Sequence, residues 1–152
     1  MFKIITRFLN SEEAFAHCDI PCGIYDPVSA KIAAQTVLKM TMRIEAQAGS
    51  SDAASANSFS RYVTVKEEHA TLCKNEIDIL WHDYFKPEHV EQYPDLHEKV
   101  WNATKLASSC KQNVDSGAAQ GLVDAVDEIA SIFWATKGVE YSDPHAAVRF
   151  GT

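Results

Sequence analysis

The sequence predicts an all-α protein, an antiparallel up-down-up-down four-helix bundle with a metal-binding hook near its N-terminus. Three observations predict this. Four stretches carry apolar residues at steps of three and four, the spacing of one helix face. The breaks between them are short and polar or contain Pro and Gly, which makes consecutive helices antiparallel neighbours. No segment shows the period-two alternation of a strand, and 152 residues suffice for one domain with its own core.

Residues 1–16, MFKIITRFLNSEEAFA, read as a removable pro-segment. Ala14, Phe15 and Ala16 have the small-x-small form of a cleavage site. Thr6, Arg7 and Asn10, however, interrupt the apolar run of about 7 to 15 residues that a secretory signal requires. Residues 17–27, HCDIPCGIYDP, form a compact turn-prone segment with Pro21, Gly23 and Pro27, and constitute the hook. A first helix is predicted over 28–48, with Ala33, Val37, Met40, Ile44 and Ala48 on one face, followed by a polar loop over 49–58. A second runs over 59–85, with Val65, His69, Cys73, Ile77, Leu80 and Tyr84 in one stripe, and is stopped by Lys86 and Pro87. A third begins near Pro94, aligns Leu96, Val100, Ala103, Ala107, Cys110 and Val114, and ends at Ser116 and Gly117. The fourth, over 118–137, places Leu122, Val126, Ile129, Phe133 and Thr136 together, with Gly138 as its C-terminal cap. Residues 28–137 thus form the bundle. Residues 138–152 show no period and are expected to be disordered or held by a partner.

Lys and Arg number 14 against 21 Asp and Glu, a net charge of −7, which excludes nucleic acid or an anionic membrane as the main partner. No apolar run reaches the roughly 18 residues of a membrane span. A soluble, cytoplasmic protein is expected. Four cysteines at irregular spacings argue for a reducing compartment rather than a disulfide framework. Cys73 and Cys110 fall on apolar helix faces, where a thiol behaves as a small hydrophobe. Cys18 and Cys22 sit in a turn, where chemistry is more often carried.

His17, Cys18 and Cys22 place an imidazole and two thiols within six residues, with Pro21 and Gly23 to fold the chain back. Such donors suit nickel, copper, zinc or iron–sulfur, so ligand type alone does not select the metal. Zinc sites usually need a second ligand pair, and His69, His82, His89, His97 and His145 form no such pattern. If the chain is cut between Ala16 and His17, His17 offers a free amine besides its ring. The amine, the Cys18 amide and the Cys18 and Cys22 thiolates then form a planar set with the His17 ring axial, and tetragonal coordination suits nickel(II) or copper(II). In the uncut chain the His17 nitrogen is an amide and this set cannot form.

The segment HCDIPCGIYDP resembles the N-terminal hook of the nickel superoxide dismutases, matching every fixed position of His-Cys-Asp-x-Pro-Cys-Gly-x-Tyr-Asp-Pro. The resemblance continues in LWHDYFKP at 80–87, YPDLH at 93–97 and IFWATK at 132–137, and so spans roughly residues 17–137. It implies a homohexamer of four-helix bundles with one nickel ion per subunit, activated when a processing protease removes residues 1–16. The implied nickel ligands are the His17 amine and imidazole, the Cys18 amide and thiolate, and the Cys22 thiolate. Tyr25 matches the tyrosine over the open face of the metal, a catalytic position beside His17. Asp19, Pro21 and Ile24 match residues around the substrate pocket, and Trp81 and Tyr84 match its surroundings. Where the family carries a glutamate and an arginine that support the histidine ring, this chain has Ala33 and His69. His69 on the inner face could supply part of that support.

The implied reaction converts two superoxide ions to oxygen and hydrogen peroxide by Ni(III)/Ni(II) cycling, with thiolates and a deprotonated amide bringing the couple into range. Lys86, beside Tyr84, is a candidate for local steering of the anionic substrate in a net-negative protein. A carrier that binds nickel or copper in the same hook without turnover is the alternative. A dithiol redox protein using Cys18 and Cys22 is a weaker one, lacking a βαβ context.

Overall fold

The structure, a computed structural model, describes residues 23–50 and 52–151. All regular elements among these residues are helical: α1 (Val28–Ala46), α2 (Ala53–Ile79) with a π-helical turn (Leu80–Tyr84), α3 (Pro87–Gln92), α4 (Leu96–Gln112), α5 (Ser116–Thr136) and α6 (Ala146–Phe150). The four long helices close into a ring in which α1 packs on α2, α2 on α4, α4 on α5 and α5 on α1.

Cross-helix contacts run in opposite sequence directions, which fixes the antiparallel order. Between α2 and α4, Lys66 reaches Cys110 and Lys111 while Lys74 reaches Ser108. Between α5 and α1, Ser116 N–H donates to Glu45 near one end and Lys31 pairs with Asp127 near the other. The up-down-up-down bundle therefore stands as the sequence predicts.

The stripes become the core. Ala33, Val37, Cys73, Ile77, Leu80, Leu96, Val100, Ala103, Ala107, Cys110, Leu122, Val126, Ile129 and Phe133 are all buried. On α2 the buried edge is Lys66, Ala70, Cys73 and Ile77, so Val65 and His69 sit at its margin rather than at its centre. Met40 is half-buried, and Ala48 and Val114 lie past the helix ends, exposed.

Boundaries differ from expectation where caps override composition. The Ser/Ala/Asn stretch expected to be a loop belongs largely to α2, which starts at Ala53 because the Asp52 carboxylate accepts from the N–H groups of Ala54 and Ser55 at 3.0 Å. The Ser55 hydroxyl, which also donates to Asp52, holds that carboxyl below its usual range. The helix expected to end at 85 instead widens into the π turn, closed by Phe85 N–H donating to the Leu80 carbonyl at 2.9 Å. Residues 87–92, between two of the predicted helices, form α3 with Pro87 at its first turn. Asp115 caps α5 by accepting from Ala118 N–H at 3.0 Å, so the helix starts at Ser116, two residues before the expected position. Gly138, at φ 71°, ends α5 in the left-handed region that glycine adopts without strain.

The C-terminal segment corrects the sequence reading most. Residues expected to be disordered or held by a partner fold back along α1. The Tyr141 hydroxyl donates to Asp127 Oδ1 at 2.8 Å, beside the Lys31–Asp127 pair. Arg149 makes two hydrogen bonds to Asp143, at 2.8 and 3.0 Å, and a third to Gln35 Oε1. Gln35 in turn donates to the Ala146 carbonyl, and Lys39 donates to the Gly151 carbonyl while lying over the Phe150 ring. The tail has no helical period because polar groups on α1 and α5 hold it.

Candidate metal centre

The expected donors His17, Cys18 and Cys22, with Asp19 and Pro21, lie outside the described residues, as does the 1–16 segment. Description begins at Gly23, whose φ of 70° turns the chain just before Ile24 and Tyr25. Val28 N–H donates to Asp26 Oδ1 at 2.8 Å, the side-chain turn that leads into α1. Pro27 is buried and its carbonyl accepts from Lys31 N–H, so the root of the hook is anchored to the bundle.

Tyr25 meets an aromatic cluster at this end of the bundle. Its ring lies 5.6 Å from that of Tyr84, which sits in the π turn. Tyr84 also packs against Phe133 at 4.4 Å, Phe85 at 5.3 Å and His89 at 5.6 Å, the last nearly parallel. Lys137 Nζ stands 5.1 Å from the ring centroids of both Tyr84 and Phe133. The Tyr84 hydroxyl is 2.6 Å from Thr136 Oγ1. Three elements meet here: the root of the hook, the π turn with α3, and the last turn of α5.

The site residues named from sequence divide accordingly. Tyr25 and Tyr84 come together. Ile24, next to Tyr25 in the chain, is 75% exposed. Trp81 turns to His97 on α4, at 5.5 Å. His69 is about four helical turns earlier on α2, with Nδ1 donating to its own Val65 carbonyl at 2.9 Å. Ala33 is fully buried in the core. His89 and Lys137 join the cluster without any sequence signal of their own, and Phe133 and Thr136, expected only as part of the inner face of the fourth helix, join it as well; that meeting is through space and no local spacing announces it.

Other groups offer no competing centre. Among the described residues no group of three or more His, Cys, Asp or Glu side chains is placed to hold a metal. Cys73 and Cys110 are free and buried, and desolvation pushes both thiols up, Cys73 to about 12. A cleft of about 280 Å³ adjoins the hook root between Asp26, Pro27, Val28 and the tail at 139–143. Its lining includes Asp26, Glu140 and Asp143, while its one lysine, Lys31, is paired with Asp127.

These features define a helical-bundle protein whose N-terminal segment is rooted beside a tyrosine-rich end. Residues 12–137 match the family model described as nickel-containing superoxide dismutase. The chain is 42% identical over 130 residues to the Superoxide dismutase [Ni] of Streptomyces seoulensis, covering 86% of this chain and 95% of that protein. It is 41% identical over 122 residues to the Superoxide dismutase [Ni] of Streptomyces coelicolor, covering 80% and 88%. Among solved structures, a nickel-containing superoxide dismutase with ligation of the oxidised state superposes with a TM-score of 0.73 at 40% identity, covering 81% of this chain and all of that one. A native nickel superoxide dismutase structure gives 0.70 at 40% identity, covering 80% and 99%. The chain belongs to the nickel-containing superoxide dismutase family. Its residues beyond 137, folded onto α1, lie outside the matched region.

Proposed function

We propose that this protein is a nickel enzyme that converts two superoxide ions and two protons to oxygen and hydrogen peroxide. The carrying observation is the complete HCDIPCGIYDP segment inside the family match, rooted next to Tyr25 and Tyr84. The donor set fits nickel: the His17 amine and ring, the Cys18 amide and thiolate and the Cys22 thiolate combine soft anionic sulfur with strong nitrogen donors. When bound, nickel supplies the one-electron couple that oxidises one superoxide and reduces the next.

The chain's own groups do the rest. Superoxide is an anion and the protein carries a net charge of −7, so attraction must be local. Lys86 and Lys137, both exposed and next to Tyr84 in sequence or space, supply positive charge there. Tyr25 is the proposed hydrogen-bonding residue toward the substrate, a reading supported by its match to the family tyrosine and by its ring contact with Tyr84. The π turn holds Tyr84 rigidly by packing it on Phe133.

The amine donor exists only after cleavage before His17, so residues 1–16 act as a leader for a processing protease. Exposed apolar residues, including Ile24, Val28, Ile32 and Trp101, support assembly into a homohexamer. No helix among the described residues is long and apolar enough to cross a membrane. The interrupted apolar run in residues 1–16 supports a cytoplasmic location.

Removing nickel from the processed chain with a chelator is expected to abolish dismutation and to expose Cys18 and Cys22 to oxidation beyond the thiol state. Cys73 and Cys110 stay reduced, because burial raises both thiols and disfavours the thiolate; for Cys73, pushed up to about 12, roughly one thiol in 10⁵ is ionised near neutral pH. Peptide mass spectrometry of peroxide-treated apoprotein reads both outcomes. Dismutation that persists without metal would refute the assignment.

A further inference from the structure

We propose that Thr136 is a positioning residue that commits the Tyr84 phenolic proton inward, making Tyr84 an acceptor toward the substrate pocket. This deepens the dismutase reading and rests on it for the identity of the pocket.

The direction follows from two bonds at one oxygen. Thr136 Oγ1 lies 2.6 Å from the Phe133 carbonyl oxygen and 2.6 Å from the Tyr84 hydroxyl. A carbonyl only accepts, so the single threonine proton goes to Phe133. The contact with Tyr84 then has a donor only if Tyr84 supplies it. The chain runs from the Tyr84 O–H to Thr136 Oγ1 and from the Thr136 O–H to the Phe133 carbonyl.

The Tyr84 ring is fixed by Phe133, Phe85 and His89, so the hydroxyl cannot swing away without losing that packing. Its oxygen retains lone pairs. It can accept from water or from hydrogen peroxide, which carry protons, and has none to offer superoxide, which carries none. The role of Tyr84 is thus set by a threonine on α5.

The test compares Thr136→Val with Thr136→Ser. Proton NMR of the metal-free, processed chain reads the Tyr84 hydroxyl whether or not the enzyme turns over. A slowly exchanging hydroxyl signal with a cross-peak to residue 136 is expected in the parent and in T136S, and is lost in T136V. Azide, added to the nickel-loaded chain and followed by its infrared band, is expected to bind T136V about tenfold more tightly, because the freed hydroxyl now donates to the anion. T136S keeps the parent affinity. A Tyr84 hydroxyl signal unchanged in T136V, or an azide affinity unchanged or weakened there, would overturn the proposal. The NMR arm fails only with the proton assignment. Absence of dismutation in the parent would instead count against the dismutase reading.

Discussion

Replacing Cys22 with Ser in the processed chain is expected to lower superoxide dismutation by at least about a thousandfold and to abolish tight nickel binding. A cysteine thiol ordinarily titrates near about 8.5 and ionises readily against a metal, whereas a serine hydroxyl does not. The substitution therefore removes one anionic, soft donor and the charge that makes the oxidised metal accessible. The bundle is expected to stay folded, because the core among the described residues is built by the four long helices. Pulse-radiolysis rates and metal content, measured on one sample with its helical circular dichroism, separate loss of the centre from loss of the fold. Parent-like turnover in Cys22→Ser would remove the hook from the mechanism.

Lys66→Met carries the largest expected cost in stability, about 3 kcal/mol, or a fall in Tm of roughly 6 to 12 °C. Lys66 is 2% exposed, and its ammonium donates to the carbonyls of Cys110, Lys111 and Asn113 at 2.5, 2.8 and 2.9 Å. These are carbonyls at the end of α4 that lack helical partners, and a cation at a helix C-terminus also meets its dipole favourably. Methionine fills the space and satisfies none of them. Burial holds the Lys66 amine below its usual range. Its charged form is therefore penalised in the folded state, a cost present at neutral pH and relieved as pH rises toward the unfolded value near 10.5. Thermal melts of the parent should show that alkaline relief and those of Lys66→Met should lack it. A Tm within about 2 °C of the parent would show that water replaces the ammonium at no cost.

Those two residues mark how far the sequence could be read. Cys22 announces itself, since two thiols and an imidazole within a proline-containing turn have few purposes. Lys66 does not: its place on the edge of an apolar stripe gives no sign that it faces the end of another helix. The same division runs through the fold. Apolar steps identify the four bundle helices, because burying one face is what creates those steps. They mislead at the ends, where Asp52 and Asp115 capping, rather than hydropathy, decides the first residue. The π turn depends on one added residue between Leu80 and Phe85, which rotates Tyr84 toward Phe133 and which periodicity alone cannot show. The tail is the extreme case. Tyr141, Asp143 and Arg149 look like a polar terminus until Asp127 and Gln35, far away in sequence, come to lie beside them.

The candidate site divides similarly. The HCDIPCGIYDP pattern identifies the donors and Tyr25, and the LWHDYFKP segment supplies Tyr84. Thr136, His89 and Lys137 acquire meaning only when α5 and α3 close against the π turn. The two positions that depart from the family pattern, Ala33 and His69, take ordinary places: one a small core residue, the other a histidine bonded to its own helix.

Everything in the proposed chemistry turns on a free amine at His17 completing a redox-active nickel centre. The most direct test loads nickel into two forms, the chain that begins at His17 and the uncut chain that begins at Met1, and measures bound metal and superoxide dismutation on the same samples. One nickel per chain and dismutation in the His17-first form alone are the predicted results. Tight nickel without turnover would identify a carrier, and equal activity from the uncut chain would contradict the amine ligand outright.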